Sequence, residues 1–363
     1  MTDPSQSLTP FSPQSSLPVL AQQAVDYWTD GWQRTVLFWD VLRQRSDQYY
    51  QERAKAVPHV LRFEHELVLD GRTLERPVNY GLVRIKPPMP GQTIEDIMHA
   101  EAKFLEKVIE LHPQADGKPC VIGNCQAGWA VMMLAATRPE LFGPIIVPGS
   151  PLSYWAGVEG KNPMRYSGGV LGGSWLTALT SDLGNGKFDG AYLVENFENQ
   201  NPANTLWTKN YELWSQVDTE GPRFLEFEKW WGGHVNLNAE EMQWIVDQLF
   251  VGNRLATAEI VTRDGVRIDL RNIRSPILCF CSKGDNITPP QQALGWIVDL
   301  YEKDDDIRAC AQTIVYAIHE SIGHLGIFVS GGVAKKEHQE FASNIDLIDV
   351  LPPGLYEAVM KPK

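Results

Sequence analysis

The run CVIGNCQAGWAVMMLAA, from Cys120 to Ala136, begins as an apolar strand, turns through Gly123 and continues with helical spacing. Cys125 stands at that corner. Where a strand turns sharply into a helix, the corner residue is strained and its neighbours must be small for the two elements to approach. Gly123, Ala127 and Gly128 meet that need. The helix N-terminus would direct backbone N–H groups and a partial positive charge at the thiol, favouring the thiolate. Cys125 is therefore a candidate nucleophile for acyl transfer, against the plainer reading of a small thiol buried for packing.

An acyl-transfer site also needs donors for the developing oxyanion. The N–H of Gln126 is one candidate. The other half is expected from KPPMPGQT, where Pro87, Pro88 and Pro90 have no N–H, leaving Met89 and Gly91. The thiol needs a base, and the base an orienting acid, in the chain order nucleophile, Asp, His. Asp285 closes the strand-like PILCFCSKGD and stands far enough beyond Cys125 to leave room for a cap; its plainer reading is a turn carboxylate. For the base, His324 in HESIGHLG follows the last clear strand, with Gly323 giving its ring freedom to turn inward. His319 competes for the role but sits nearer the strand end. His234, in WWGGHVN, is a further histidine able to face the site, or an ordinary surface one.

The elements that must carry these groups read as an α/β chain. At 363 residues and 43% apolar composition there is enough for a large α/β domain with an insertion, or for two domains. VLRFEHELVLDGRTLERPVNYGLVRIKPP predicts a hairpin feeding a more central strand at Tyr80 to Ile85. A helix opened by Thr93 follows, then strand Pro119 to Ile122, helix Gln126 to Arg138 and strand Pro144 to Val147. Strand and helix order resumes at SPILCFCSKGDNITPPQQALGWIVDLY and QTIVYAIHESIGHLGIFVSG. Such alternation specifies a mostly parallel central sheet flanked by helices.

The expected organisation is an N-terminal leader and amphipathic helix over residues 1–58, a core of 59–150 and 262–363, and a cap insertion at 151–261. The insertion is rich in Trp, Gly and Asn, too long for an ordinary loop. Its Trp155, Trp175, Trp230 and Trp231 are candidates to line a substrate site and exclude water. In the N-terminal helix, Trp28, Trp32, Val36 and Trp39 recur at helical spacing. That face is expected to pack on the main domain, the alternative being docking on a partner or a hydrophobic particle.

A net charge of −13 opposes binding to nucleic acid or anionic membrane. The N-terminus lacks a secretory pattern, and no apolar run approaches the roughly 20 residues of a membrane span. A cytoplasmic location follows as the expectation. Five irregularly spaced cysteines argue against a disulfide framework. Cys279 and Cys281 lie in an apolar strand without a second ligand pair, so no metal and no cofactor is expected.

With these residues in hand, the chain resembles the polyhydroxyalkanoate synthase family, and more closely uncharacterised bacterial 3-hydroxyalkanoate synthetase-like proteins. GNCQAG is similar to their lipase-box variant. LFVGNRLATAEIVTRDGVRIDLRNIRSPILCFCSKGDNITPP is similar to the stretch leading to the synthases' catalytic aspartate, and SIGHLG to the glycine–histidine pair carrying their histidine. WQRTVLFWDVLRQRSDQYY looks like their N-terminal region. The resemblance runs in patches from about Asp26 to Phe328.

It implies an α/β-hydrolase fold, Cys125 as nucleophile, His324 as base and Asp285 as its partner. The implied activity is acyl transfer from 3-hydroxyacyl coenzyme A thioesters; the place of Trp155, Trp175, Trp231 and His234 near the substrate is expected from the cap segment itself. A thioesterase or polyester hydrolase with the same trio stays open, as does a non-catalytic, granule-associated or partner-binding protein. Homodimerisation is likewise open. Ala127, Asn286 and WWGGH depart from the synthases' usual residues, so the polymerising function need not follow the machinery. Lys161, Arg165 and Lys283 are candidates to meet coenzyme A phosphates, or ordinary surface charges.

Overall fold

A computed structural model describes residues 13–55, 72–73, 76–77, 90–156 and 172–359. The expected hairpin and central strand before residue 90 lie outside the described residues, apart from a short antiparallel pair, Arg72–Thr73 with Arg76–Pro77. In chain order the elements used below begin with α1 (Pro13–Arg53), α2 (Ile94–Leu111), β1 (Val121–Ile122), α3 (Ala127–Thr137) and β2 (Ile145–Pro148). Then follow α4 (Lys209–Ser215), α5 (Val217–Trp231), β3 (Ile277–Ser282), α6 (Pro290–Leu300), β4 (Thr313–His319), α7 (His324–Val329) and β5 (Gly354–Glu357).

Contacts divide the chain into two compact units, Met1–Arg62 with Val194–His234 and Phe63–Leu193 with Val235–Lys363. Of the stretch 151–261, then, only 194–234 groups with α1.

The larger unit is built on a five-stranded sheet in the order β1-β2-β3-β4-β5, parallel throughout. Side chains alternate across a strand, so a sheet covered on both faces needs apolar residues at every position. β3 meets that demand, with Ile277 to Ser282 all buried. Its Ile277 and Cys279 join Ile145, Val147, Ile314, Met132 and Met133 on one face. Leu278 and Phe280 join Ile146, Val315, Ala317 and Phe341 on the other. Each fully buried large side chain contributes about 1.5–3 kcal/mol. Cys279 and Cys281 are thus core residues, and burial pushes both thiols well above their ordinary pKa.

Helix starts follow local chemistry. Thr93 opens α2 with a reciprocal cap, its N–H donating to Asp96 Oδ2 at 2.9 Å while Asp96 N–H returns to the threonine hydroxyl. Such a cap is worth about 1 kcal/mol. The parallel sheet covered on both faces, with the strand-to-helix corner at Cys125 between β1 and α3, is the α/β-hydrolase architecture.

The smaller unit packs α1 against α4 and α5. Val41, Leu213, Val217 and Phe224 form its core, with Phe38, Leu42 and Leu225 beside them. A Cβ on Gly221 would come within 3.3 Å of Val41, which marks the close approach of α1 and α5. Within this unit the packed stripe of α1 is Phe38, Val41 and Leu42, and Trp28, Trp32, Val36 and Trp39 take no part in its core. Polar ties fix the choice of face. Trp214 Nε1 donates to Thr35 Oγ1 at 3.1 Å, and Arg34 donates to the Ser215 carbonyl at 3.0 Å. Among the described residues no helix is long and apolar enough to cross a membrane.

Candidate active site

The ladder between β1 and β2 runs on past the strands. Gly123 N–H bonds Ile146 O at 2.9 Å and Cys125 N–H bonds Pro148 O at 3.1 Å, so the corner is held on the end of β2. Cys125 there adopts φ 52°, a left-handed conformation that costs a non-glycine residue on the order of 1 kcal/mol or more. Crowding accounts for the small neighbours. A Cβ on Gly123 would lie 2.8 Å from Gly128 Cα, and one on Gly128 would overlap the Ser150 side chain. Ser150 itself donates to the Gly123 carbonyl at 2.8 Å, closing the corner from the β2 side.

Two loops bring the partners. After β3, Asp285 turns back so that its Oδ1 accepts from the N–H groups of Ile287 at 2.9 Å and Thr288 at 2.8 Å. Its other oxygen, Oδ2, is 2.7 Å from His324 Nδ1. After β4, the turn 320–323 delivers His324 at the start of α7, where its Nε2 lies 3.2 Å from Cys125 Sγ. Asp285 and His324 are buried and Cys125 is half-buried. Burial opposes charge on the imidazole. The hydrogen bonds to Asp285 and Cys125 and their charges outweigh it, lifting the His324 pKa to about 9. Phe328 meets the ring edge-on at 5.0 Å, and Gly149 leaves it room.

His319 serves a different end. Its Nδ1 accepts from the N–H groups of Ser321 and Ile322, both at 3.1 Å, and so shapes the turn that carries His324. Ser282 Oγ braces the same turn by donating to the Ile322 carbonyl at 2.6 Å.

The remaining candidates fall in different places. Gln126 is the N-cap residue just before α3, beside Cys125, and among the described residues no backbone hydrogen bond engages its N–H. Met89, Lys161 and Arg165 lie outside the described residues, whereas Gly91 has φ 75° just before the cap of α2. Trp155 bonds Val251 O through its indole at 2.8 Å, and Trp175 begins an exposed helix, Trp175–Leu183. Trp231 and His234 belong to the smaller unit. There Trp231 Nε1 donates to Glu198 at 2.7 Å and His234 Nε2 is 3.0 Å from Arg53. Lys283 pairs with Glu320 at 2.8 Å. The bracing serines escaped sequence reasoning because nothing but their place at strand ends marks them.

Among the described residues no group of His, Cys, Asp or Glu could hold a metal ion. What stands together is a thiol, an imidazole and a carboxylate in line, able to move a proton between sulfur and Nε2 while the carboxylate fixes the tautomer.

An uncharacterized protein in the ackA 5' region of Rhizobium meliloti is 62% identical over 96% of this chain and 55% of its own length. The poly(3-hydroxyalkanoate) polymerase subunit PhaC of Haloferax mediterranei is 22% identical over 66% of this chain and 45% of that protein. The chain thus spans about half the length of the curated relatives it matches. Among solved structures, the monoacylglycerol lipase of Paleococcus ferrophilus is similar with a TM-score of 0.40 and 16% identity, covering 73% of this chain and 78% of that one. The profile described as protein of unknown function (DUF3141) matches residues 30–89 and 86–363. On that coverage the chain belongs to the DUF3141 family.

Proposed function

We propose that the chain is a cysteine-dependent acyltransferase acting on 3-hydroxyacyl thioesters in the cytoplasm, with Cys125 as nucleophile at a nucleophile elbow. The observation that carries this is the contact of His324 Nε2 with Cys125 Sγ at 3.2 Å, backed by Asp285 at 2.7 Å on Nδ1. The distant similarity to a polymerase subunit of poly(3-hydroxyalkanoate) supports the choice of substrate.

The Cys125 proton passes to His324 Nε2, and the sulfur attacks the thioester carbonyl carbon. A new C–S bond to Cys125 forms as the bond to coenzyme A sulfur breaks, and the leaving thiolate takes the proton from His324. The Gln126 N–H stabilises the oxyanion between these events. In the second half, the hydroxyl of an incoming 3-hydroxyacyl group gives its proton to His324 and attacks the acyl carbon. The Cys125 C–S bond breaks, and the proton returns to sulfur. Asp285 keeps Nε2 free for both transfers by holding the proton on Nδ1.

The test is incubation with 3-hydroxybutyryl coenzyme A while following free thiol, free acid and polymer. Thiol with polymer is the expected result. Thiol with acid alone makes the chain a thioesterase, and no thiol release from an acyl-free Cys125 ends the acyl-transfer reading for this substrate.

A further inference from the structure

The loops that carry the acid and the base are closed by the same device. Asp285 Oδ1 accepts from the N–H groups two and three residues on, Ile287 at 2.9 Å and Thr288 at 2.8 Å. His319, the last residue of β4, does the same with Nδ1 for Ser321 and Ile322, both at 3.1 Å. Asn or Asp is the usual residue for such a turn. A histidine, unlike either, loses its acceptor in the mildly acidic range. Accepting at Nδ1 requires the neutral ring with its proton on Nε2, and a proton added to Nδ1 would point at two N–H groups.

The other edge of His319 faces a buried charge. Nε2 lies 3.9 Å from Glu337 Oε1, on the helical turn Ala334–His338. Glu337 is 2% exposed, and the same oxygen meets the ammonium of Lys336 at 3.1 Å. The charged groups on the neighbouring loops are paired with each other, Glu320 with Lys283 at 2.8 Å and Asp285 with His324 at 2.7 Å. His338 is turned to Phe280, and β3 sets Ser282 beside His319 in register. The imidazole thus serves as an acceptor on one edge, while on the other stands a carboxylate that favours the ring once it is charged.

We propose that His319 is a proton-sensitive positioning residue for the base. Neutral, it clasps the turn 320–323 and seats His324 against Cys125. When a proton from solvent binds Nδ1, His319 releases the Ser321 and Ile322 N–H groups and pairs with Glu337, and the turn no longer holds His324 Nε2 at the thiol. The inference rests on His324 serving Cys125 and adds the means by which mild acid switches that service off.

The experiment follows alkylation of Cys125 by iodoacetamide in the full chain between pH 8 and pH 5, beside His319→Asn and His319→Ala. In His319→Asn the amide oxygen takes the place of Nδ1 and accepts throughout this range. At pH 8 its rate is expected within about twofold of the native protein, with His319→Ala about tenfold slower. Toward pH 5 the native rate is expected to fall about tenfold further than that of His319→Asn. Cys125 and His324 titrate in both proteins, so the ratio of the two rates isolates His319. A ratio that stays constant with pH overturns the proposal, as does a His319→Asn protein as slow as His319→Ala. A second measurement needs no variant. In the native protein, the exchange protection of the Ser321 and Ile322 amides should fall together across this range while Ile287 and Thr288 keep theirs; unchanged protection at Ser321 and Ile322 refutes the clasp. Alkylation involves no thioester, so a failure to release thiol from 3-hydroxybutyryl coenzyme A counts against acyl transfer and leaves the clasp standing.

Discussion

His324 Nε2 lies 3.2 Å from Cys125 Sγ although 199 residues separate them in the chain. The approach is built from both sides: Cys125 is pinned to the end of β2, and His324 arrives on a turn shaped by His319 and Ser282. An imidazole at that distance can take the thiol proton as the sulfur attacks an alkylating agent. Iodoacetamide below one equivalent at neutral pH should therefore label Cys125 before the other four cysteines. Cys279 and Cys281 are buried, and partial burial raises the thiol pKa of the exposed Cys120. Peptide mapping checks this, with His324→Ala expected to slow the labelling at least tenfold. Preferential labelling of Cys120 in the native protein would contradict the coupling.

The same imidazole makes stability depend on pH. Its folded pKa of about 9 lies above the unfolded value of about 6.5. The stabilisation is therefore complete below about pH 6.5 and is lost as pH rises through about 9, with a full size on the order of 3 kcal/mol. Burial also lifts the Glu101 carboxyl to about 7, which produces a separate loss at lower pH. The His324 contribution is read above that range, from urea midpoints between pH 7 and 10. The fall should be smaller in His324→Asn, which keeps only the part due to the buried Cys279 and Cys281 thiols, and equal falls in the two proteins would refute the linkage.

The parts of the site written locally were legible in the sequence. Gly123 and Gly128 bracket Cys125 because the strand and helix cannot otherwise approach, and that need leaves a mark at fixed spacing. Apolar strands and the Thr93 cap follow equally local rules. Choosing which face of α1 is packed is different. Trp28, Trp32, Val36 and Trp39 make the more conspicuous stripe, but Val41 and Phe38 face the helices that arrive from residues 209–231. Hydrophobicity alone does not single out the stripe packed within the smaller unit, because the partner's polar groups at Trp214, Ser215 and Asp218 fix the rotation of α1. The role of His319 was likewise invisible, since it depends on two backbone N–H groups that follow it only once the turn has formed.

Within the smaller unit, Glu228 concentrates the electrostatics. Its side chain is 2% exposed, with one oxygen 2.6 Å from Arg45 and the other 3.0 Å from Lys209. Removing both cations would leave this buried carboxylate without a counterpart, at a cost of about 3–5 kcal/mol. Arg45→Ala combined with Lys209→Ala should lower the stability of this unit by that order, seen as faster amide exchange in α1 and α5. Arg45→Ala alone should cost less, since Lys209 still neutralises the carboxylate. Equal and negligible effects of the single and the double substitution would show that the pairing is not holding α1 in place.

Gly284 tests how tightly the histidine turn must be held. It precedes Asp285, and a Cβ there would overlap the carbonyl of Ser321 in the turn that delivers His324. Backbone rather than a pliable side chain is in the way, so relief in Gly284→Ala requires the turn to move. Overpacking of this kind costs about 1–3 kcal/mol, which leaves the protein folded. Displacing the base by about 1 Å costs far more in rate, on the order of a hundredfold. The expected signature is a large loss in Cys125 acylation with a modest fall in unfolding midpoint. Gly265→Ala, at φ 85° with open space around it, controls for backbone strain alone and should retain the rate. If Gly284→Ala acylates as fast as the native protein, the close fit of the two loops does not govern the placement of His324.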